Sequence, residues 1–213
     1  TYKHIEVLVV DDCSSDGTFE TLLDYCIDKR VKVFRNDKNL GAGKSRNRLL
    51  REAKGRFISF CDADDLWLPT KLDKQVNFML ENHISFSYCD YYEYNYRKNN
   101  LKVYNSPNFV TFSMMTYSSY IGCLTVMYDV EKVGKVFMPD FRRRQDWALW
   151  LRLLSHVDRA YRVPEALAVY NIRADSLSSK KYRLLRDTYV IYRQELKYSV
   201  FLSLIRIFAF LIA

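Results

Sequence analysis

The sequence predicts an α/β fold: a mainly parallel sheet with helices on both faces. Three observations carry that expectation. The first hundred residues alternate short apolar runs with segments of helical spacing, the order that builds strands joined by crossover helices. Cap and turn residues such as Gly55 and Pro69 mark the changes of period. The chain has 213 residues, of which 49% are hydrophobic, enough to bury the core of one domain under a charged surface.

In order, IEVLVV (residues 5–10) reads as an apolar strand and DGTFETLLDYCID (16–28) as a helix behind a Ser/Asp cap. VKVFR (31–35) is a strand, and AGKSRNRLLREAKG (42–55) a helix closed by Gly55. RFISFCD is the next strand, PTKLDKQVNFMLENH a helix with proline in its first turn, and ISFSYCDYYEYN another strand. After Asn95 the pattern weakens into RKNNLKVYNSPNFVTF, a polar loop with one short strand. A helix over 146–155, a strand at ALAVYNI and a basic amphipathic helix from residue 180 complete the chain. The organisation expected is one domain in two halves, 1–95 and 96–179, with a helical tail at 180–213. Ligands of such a sheet bind at the carboxyl ends of its strands.

Lys and Arg outnumber Asp and Glu by 33 to 25, a formal charge of +8, with much of the excess in FRRRQ (141–145) and KKYRLLRDTYVIYRQELK (180–197). An anionic partner follows, and nucleic acid, acidic lipid and a nucleotide-bearing substrate all meet the requirement. No nucleic-acid-binding motif accompanies the charge, so nucleic acid is the least favoured of the three. The five cysteines are widely spaced, without a C-x-x-C pair or histidines at zinc spacing. That argues against a disulfide scaffold or structural zinc and for a reduced, cytosolic compartment. VFLSLIRIFAFLIA (200–213) is strongly apolar but fourteen residues long and interrupted by Arg206. It is short for a span of about 20 residues, and is expected to lie on a membrane surface or against a partner.

Gly43-Lys44-Ser45 looks like the end of a phosphate-cradling P-loop, G-x-x-x-x-G-K-S/T, between a strand and a helix. The first glycine of that motif would be residue 38, which is lysine. Without it the backbone cannot curl around phosphates. A turn and helix start explains the glycines but leaves the cluster of Lys44, Arg46 and Arg48 without a role.

A different comparison accounts for more residues. IEVLVVDDCSSDGT, NLGAGKSRN and AKGRFISFCDADDLWLP resemble, in order and spacing, three motifs of glycosyltransferase family 2, the inverting enzymes of GT-A (Rossmann-like) fold. The resemblance is close over residues 1 to about 85 and returns at 120–180. It begins after the strand and turn V-S-I/V-I-I/V-P-x-Y/F-N with which family members open. A chain starting there, as a fragment or from an alternative start, is expected to have little activity by itself.

The chemistry implied is transfer of a sugar from a nucleotide diphosphate, which needs a site for base and ribose, a cation for the leaving diphosphate, and a base for the acceptor hydroxyl. Asp11 and Asp12 end a strand at the sheet edge, where a carboxylate can accept from a nucleobase N–H or cap the next helix. By resemblance Asp12 reads the base, with Asp11 beside it. Asp62 and Asp64 alternate at the end of an apolar strand, so their carboxylates emerge together, costly unless a cation joins them. Hard oxygens suit Mg²⁺ or Mn²⁺. The resemblance makes this the D-x-D motif: Asp64 holds the metal, Asp62 the ribose or metal, and Asp65 caps or orients. Arg46 matches the family's arginine that lies against that turn, a fork suited to carboxylate or phosphate.

In the second half RRRQDWALWLRL resembles the family segment whose aspartate opens a helix facing the acceptor, so Asp146 is the expected general base. Trp147 is placed to stack on the acceptor sugar, although Trp150 and Leu151 fit a core face equally. VYNIRADSLSSKK resembles a segment whose histidine reaches metal or diphosphate. Arg173 stands there and cannot ligate a cation, so it would neutralise the diphosphate directly or leave the metal with one protein ligand fewer. His4, His83 and His156 match no family position and are read as structural. The function expected is an inverting, metal-dependent glycosyltransferase of bacterial surface polysaccharide synthesis. It would take a nucleotide-sugar donor, a UDP-sugar, and a glycan or lipid-linked acceptor, working cytoplasmically at the inner face of the membrane through its tail. The alternative is a catalytically inactive GT-A-like domain that binds nucleotide or glycan.

Overall fold

The computed structural model describes residues 1–172 and 181–212, without the side chains of 181–183 and 209–212. Its first half runs β1 (Val7–Asp11), α1 (Thr18–Asp24), β2 (Val31–Arg35), α2 (Ala42–Glu52), β3 (Phe57–Ile58), β4 (Leu66–Trp67), α3 (Lys71–Glu81) and β5 (Phe86–Asn95). The second half adds β6 (Asn100–Tyr104), β7 (Phe109–Thr111), α4 (Phe112–Met115), β8 (Met127–Asp129), α5 (Val130–Val133), α6 (Gln145–Leu154) and β9 (Arg159–Ile172). α7 (Lys181–Val190), a π turn over Ile191–Glu195 and α8 (Val200–Ile212) follow.

The layering is the expected one, an open sheet with helices on both sides, and the strand directions are mixed. β1 and β2 form a parallel pair of their own. The larger sheet has the order β3-β8-β5-β9-β4, with β6 added to β5 and β7 to β9. Its long central pair, β5 and β9, is parallel, and the short strands around it run antiparallel. β9 is twice the length of the apolar run that announces it, because Arg159–Val163 continues into pairings with β5 and β7. The register slips twice, between Cys89 and Asp90 opposite Pro164 and Glu165, and between Asp90 and Tyr91 opposite Leu167. A proline has no N–H to give a ladder, so it falls where the ladder is interrupted. The segment read as a polar loop with one short strand holds two, β6 and β7. β6 is held by cross-strand packing, with the Tyr91 and Tyr104 rings stacked at 4.9 Å. RFISFCD pairs over two residues alone, Phe57 with Asp129 and Ile58 with Tyr128, and the rest leads to the site.

α6 lies at the centre of the core. From Trp147 to Leu151 every side chain is buried, together with Leu153 and Leu154. The Trp150 ring lies 5.9 Å from Phe60 and 6.0 Å from Phe86. Trp147 does not face an acceptor: it is 1% exposed, and its indole N–H donates to the Met115 carbonyl at 2.8 Å. The indole has an internal acceptor, and burying the ring gains more than a rim position could. The basic segment after residue 180 is also docked. Ile191 and Tyr192 belong to the same core, the Tyr192 hydroxyl donates to Thr116 O at 2.8 Å, and Arg152 pairs with Glu195.

Candidate active site

α2 is the strut of the site, and its side chains answer the question raised by the P-loop-like run. Gly41 takes φ 82°, the left-handed turn into the helix. At Gly43 an added Cβ would stand 3.1 Å from Gln145 Cγ, so the glycine lets α6 approach. Lys44 pairs with Asp140 at 2.8 Å, and Ser45 Oγ accepts from Asn36 Nδ2 at 2.9 Å. Arg46 donates to Asp62, and Arg48 Nη1 to Arg35 O at 2.6 Å and Asn36 Oδ1 at 2.8 Å. Lys44, Arg46 and Arg48 therefore each have a partner within the fold.

The end of β1 is tied to the start of that helix. Asp12 accepts from Leu40 N at 2.9 Å, Gly41 N at 2.7 Å and Asn36 Nδ2 at 2.8 Å. Burial works against its charge, and these hydrogen bonds outweigh burial, bringing its pKa below the ordinary value. Asp11 is buried, accepts from Ser14 N and lies 3.4 Å from Arg35 Nε.

The D-A-D-D turn is held from behind. Asp65 N donates to Asp62 O at 3.0 Å, and the buried Asp65 carboxylate accepts from Asn171 N at 3.2 Å. The Asn171 side chain donates to Asp64 O, while β4 pairs with β9 and Trp67 Nε1 donates to Leu124 O at 2.8 Å. With Asp65 spent on the scaffold, Asp62 and Asp64 remain half-buried at the rim. Among the described residues no group of three His, Cys, Asp or Glu side chains gathers as a metal cage. Two rim carboxylates do suit Mg²⁺ or Mn²⁺, ions that take few protein ligands and fill their shells with water and phosphate oxygens.

Asp146 lies in the first turn of α6, where the helix dipole favours a carboxylate. The preceding Arg144 takes the left-handed conformation, φ 54°, donates to Thr188 Oγ1 at 2.8 Å and lies over the Trp147 ring at 4.9 Å. Burial pushes the Arg144 guanidinium down, and Asp146 acts against that. Burial also works against the charge of Arg46, but Cys123, Asp62 and Asp146 together raise its pKa. Asp62 and Asp146, from turns 84 residues apart in sequence, thus act on one guanidinium.

Two groups at this place are not legible from motifs. Asn171, within an apolar strand, fastens the acidic turn, and a polar residue in such a run is the available signal. Tyr170 and Tyr91 meet edge to face at 6.3 Å. Burial raises the Tyr170 pKa, with Asp65, Asp64 and Asp62 adding to it, so this aromatic wall adjoins the turn. Arg173 lies outside the described residues.

The family profile described as Glycosyl transferase family 2 matches residues 1–128. The chain is 40% identical over 196 residues to a Bacillus subtilis (strain 168) protein named for teichuronic acid biosynthesis, the glycosyltransferase TuaG, covering 91% of this chain and 78% of that one. It is 34% identical over 193 residues to the Escherichia coli UDP-Glc:alpha-D-GlcNAc-diphosphoundecaprenol beta-1,3-glucosyltransferase WfaP, covering 90% and 75%. Among solved structures, S. aureus TarS 1-349 in complex with UDP-GlcNAc superposes with a TM-score of 0.70 at 22% identity, over 97% of this chain and 62% of that one. The mannosyltransferase PcManGT of Pyrobaculum calidifontis, in complex with GDP-Man and Mn²⁺, gives 0.65 at 15% identity, over 91% and 55%. These two likenesses show the GT-A fold.

Proposed function

The chain belongs to glycosyl transferase family 2, and from that premise we propose an inverting glycosyltransferase that moves a sugar from a UDP-sugar to a glycan or lipid-linked acceptor in bacterial surface polysaccharide synthesis. The observation that carries it is that Arg46, hydrogen-bonded to Asp62 of the acidic turn, also feels the charge of Asp146 from the second half of the chain. TarS supports the donor, being solved with UDP-GlcNAc, and WfaP the acceptor, its name specifying a diphosphoundecaprenol-linked sugar.

Asp12 reads the base at the end of β1, with the buried Asp11 beside it, and Asp62 serves the ribose or the metal. Asp64, with Asp62, holds Mg²⁺ or Mn²⁺; bound there, the ion offsets charge on the leaving diphosphate. Arg46 keeps Asp62 oriented, and the role left to Arg173 is to neutralise the diphosphate. The acceptor hydroxyl oxygen bonds to the anomeric carbon from the side opposite the diphosphate. The carbon–oxygen bond to the diphosphate breaks with its electron pair, and the hydroxyl proton passes to the Asp146 carboxylate. The exposed apolar row of α8 supports a peripheral location of the reaction, at the inner membrane face.

Asp146→Asn keeps the shape and removes the basicity. It is expected to bind UDP with Mn²⁺ as the parent does while transfer falls by about 100-fold or more. Calorimetry and a radiolabelled-sugar assay read the two separately. Transfer at the parent rate would put the base elsewhere.

A further inference from the structure

A pocket of about 390 Å³ opens between the loop at 140–143 and α7. Arg142, Arg143 and Arg186 line it, with Asp140, Asp187 and Gln194. Two of its charges are already answered: Asp140 pairs with Lys44 at 2.8 Å and Asp187 with Arg143 at 3.4 Å. Among the described residues no acid lies within ion-pair distance of Arg142 or Arg186. The pocket therefore presents two uncompensated guanidinium groups, an arrangement that repels itself until an anion enters and that suits the forked contacts of a phosphate. Phe141 and Val190 add an apolar wall.

No residue of β1, of α2 or of the D-A-D-D turn lines the pocket, so among the described residues it shares no lining side chain with the proposed donor site. The loop that builds it runs directly into α6, three residues before Asp146, and is clamped to α7 by the Arg143–Asp187 pair and the Arg144–Thr188 hydrogen bond. The pocket thus adjoins, along the chain, the helix that carries the proposed base. α7 leads through the π turn to α8, whose outward row of Phe201, Leu204, Ile205 and Phe208 is exposed at i, i+3, i+4 and i+7. A cationic pocket beside an apolar helix face fits an anionic head on a hydrocarbon chain.

We propose that Arg142 and Arg186 bind the diphosphate of a lipid-linked acceptor, a reading that rests on the glycosyl transfer proposed above. The test is calorimetry on the full chain without donor, using farnesyl diphosphate and inorganic pyrophosphate as probes and UDP with Mn²⁺ as the reference. Both arginines are exposed, so the Arg142→Gln/Arg186→Gln variant keeps the fold. The parent is expected to bind farnesyl diphosphate more tightly than pyrophosphate. The variant is expected to lose farnesyl diphosphate affinity by about tenfold or more, with UDP binding unchanged. Equal affinity of parent and variant for farnesyl diphosphate would overturn the proposal. So would a parallel loss of UDP, which would assign the pocket to the donor, or pyrophosphate binding as tight as farnesyl diphosphate, which would assign it to free phosphate. Because the readout involves no turnover, an Asp146→Asn protein that still transfers sugar would refute the assigned base and leave the pocket standing.

Discussion

Lys71 is fully buried, with its ammonium 2.7 Å from Gln75 Oε1 and 4.4 Å from the centre of the Trp67 ring. Burial pushes its pKa down from 10.5 to about 8, with Cys89 and Cys61 opposing the shift. Between those values the unfolded chain holds a proton that the folded chain has released, so this group adds stability as pH rises through the window and adds none of this pH dependence below it. The full window corresponds to about 3 kcal/mol. Lys71→Met removes the titration, so the stability of the parent relative to that variant should climb between about pH 8 and 10 and stay level below. Urea melts at three pH values measure it; a level difference throughout would mean that the ammonium is not disfavoured. At this scale the candidate site residues stand out in the sequence and the scaffold does not. Asp62, Asp64, Asp146 and Arg46 are singled out because they fall on segments that resemble the family's motifs. Lys71 reads as an ordinary first-turn lysine, since its burial comes from Trp67 and strands distant in sequence.

α2 and α6 meet where Gly43 faces Gln145, and that contact sets the first turn on which Asp146 rides. Gly43→Ala would gain about 1 kcal/mol of helix propensity, against a Cβ that Gln145 must yield to by a few tenths of an ångström. Stability is therefore expected to change little while transfer drops about tenfold, because small misplacements of a catalytic group are costly. Adding Gln145→Ala makes room for the new methyl and should restore much of the rate, a coupling that a double-mutant cycle isolates. Independent losses from the two substitutions would mean that the contact does not set Asp146. The elements with strong local periodicity, β1, β2, α2, α3 and α6, are readable from spacing. β6, β7 and β8 are not, because short antiparallel strands are defined by partners such as Tyr91 for Tyr104 rather than by their own pattern. β3 fails in the opposite sense: an apolar run of strand type finds a ladder partner over two residues only.

For the molecule as a whole, the proposed membrane contact rests on the formal charge of +8 and the outward face of α8. Among the described residues no helix is long and apolar enough to cross one. Deleting everything after residue 180 would be a poor test, since Ile191 and Tyr192 lie in the core and their loss would unfold the domain. Only the outer row of α8 is separable: Ser203 is buried and Ile207 packs inward, whereas Phe201 is 75% exposed and Phe208 66%. Replacing Phe201, Leu204 and Phe208 with serine removes apolar area worth about 5 kcal/mol on transfer from water, more than a thousandfold in partition. The triple variant should melt at the parent's temperature, bind UDP normally and fail to float with vesicles containing phosphatidylglycerol. Added salt should weaken flotation of the parent without abolishing it, because salt screens the arginines and lysines but not the apolar face. Equal flotation of parent and variant would separate α8 from the membrane and leave the basic surface as the sole means of attachment.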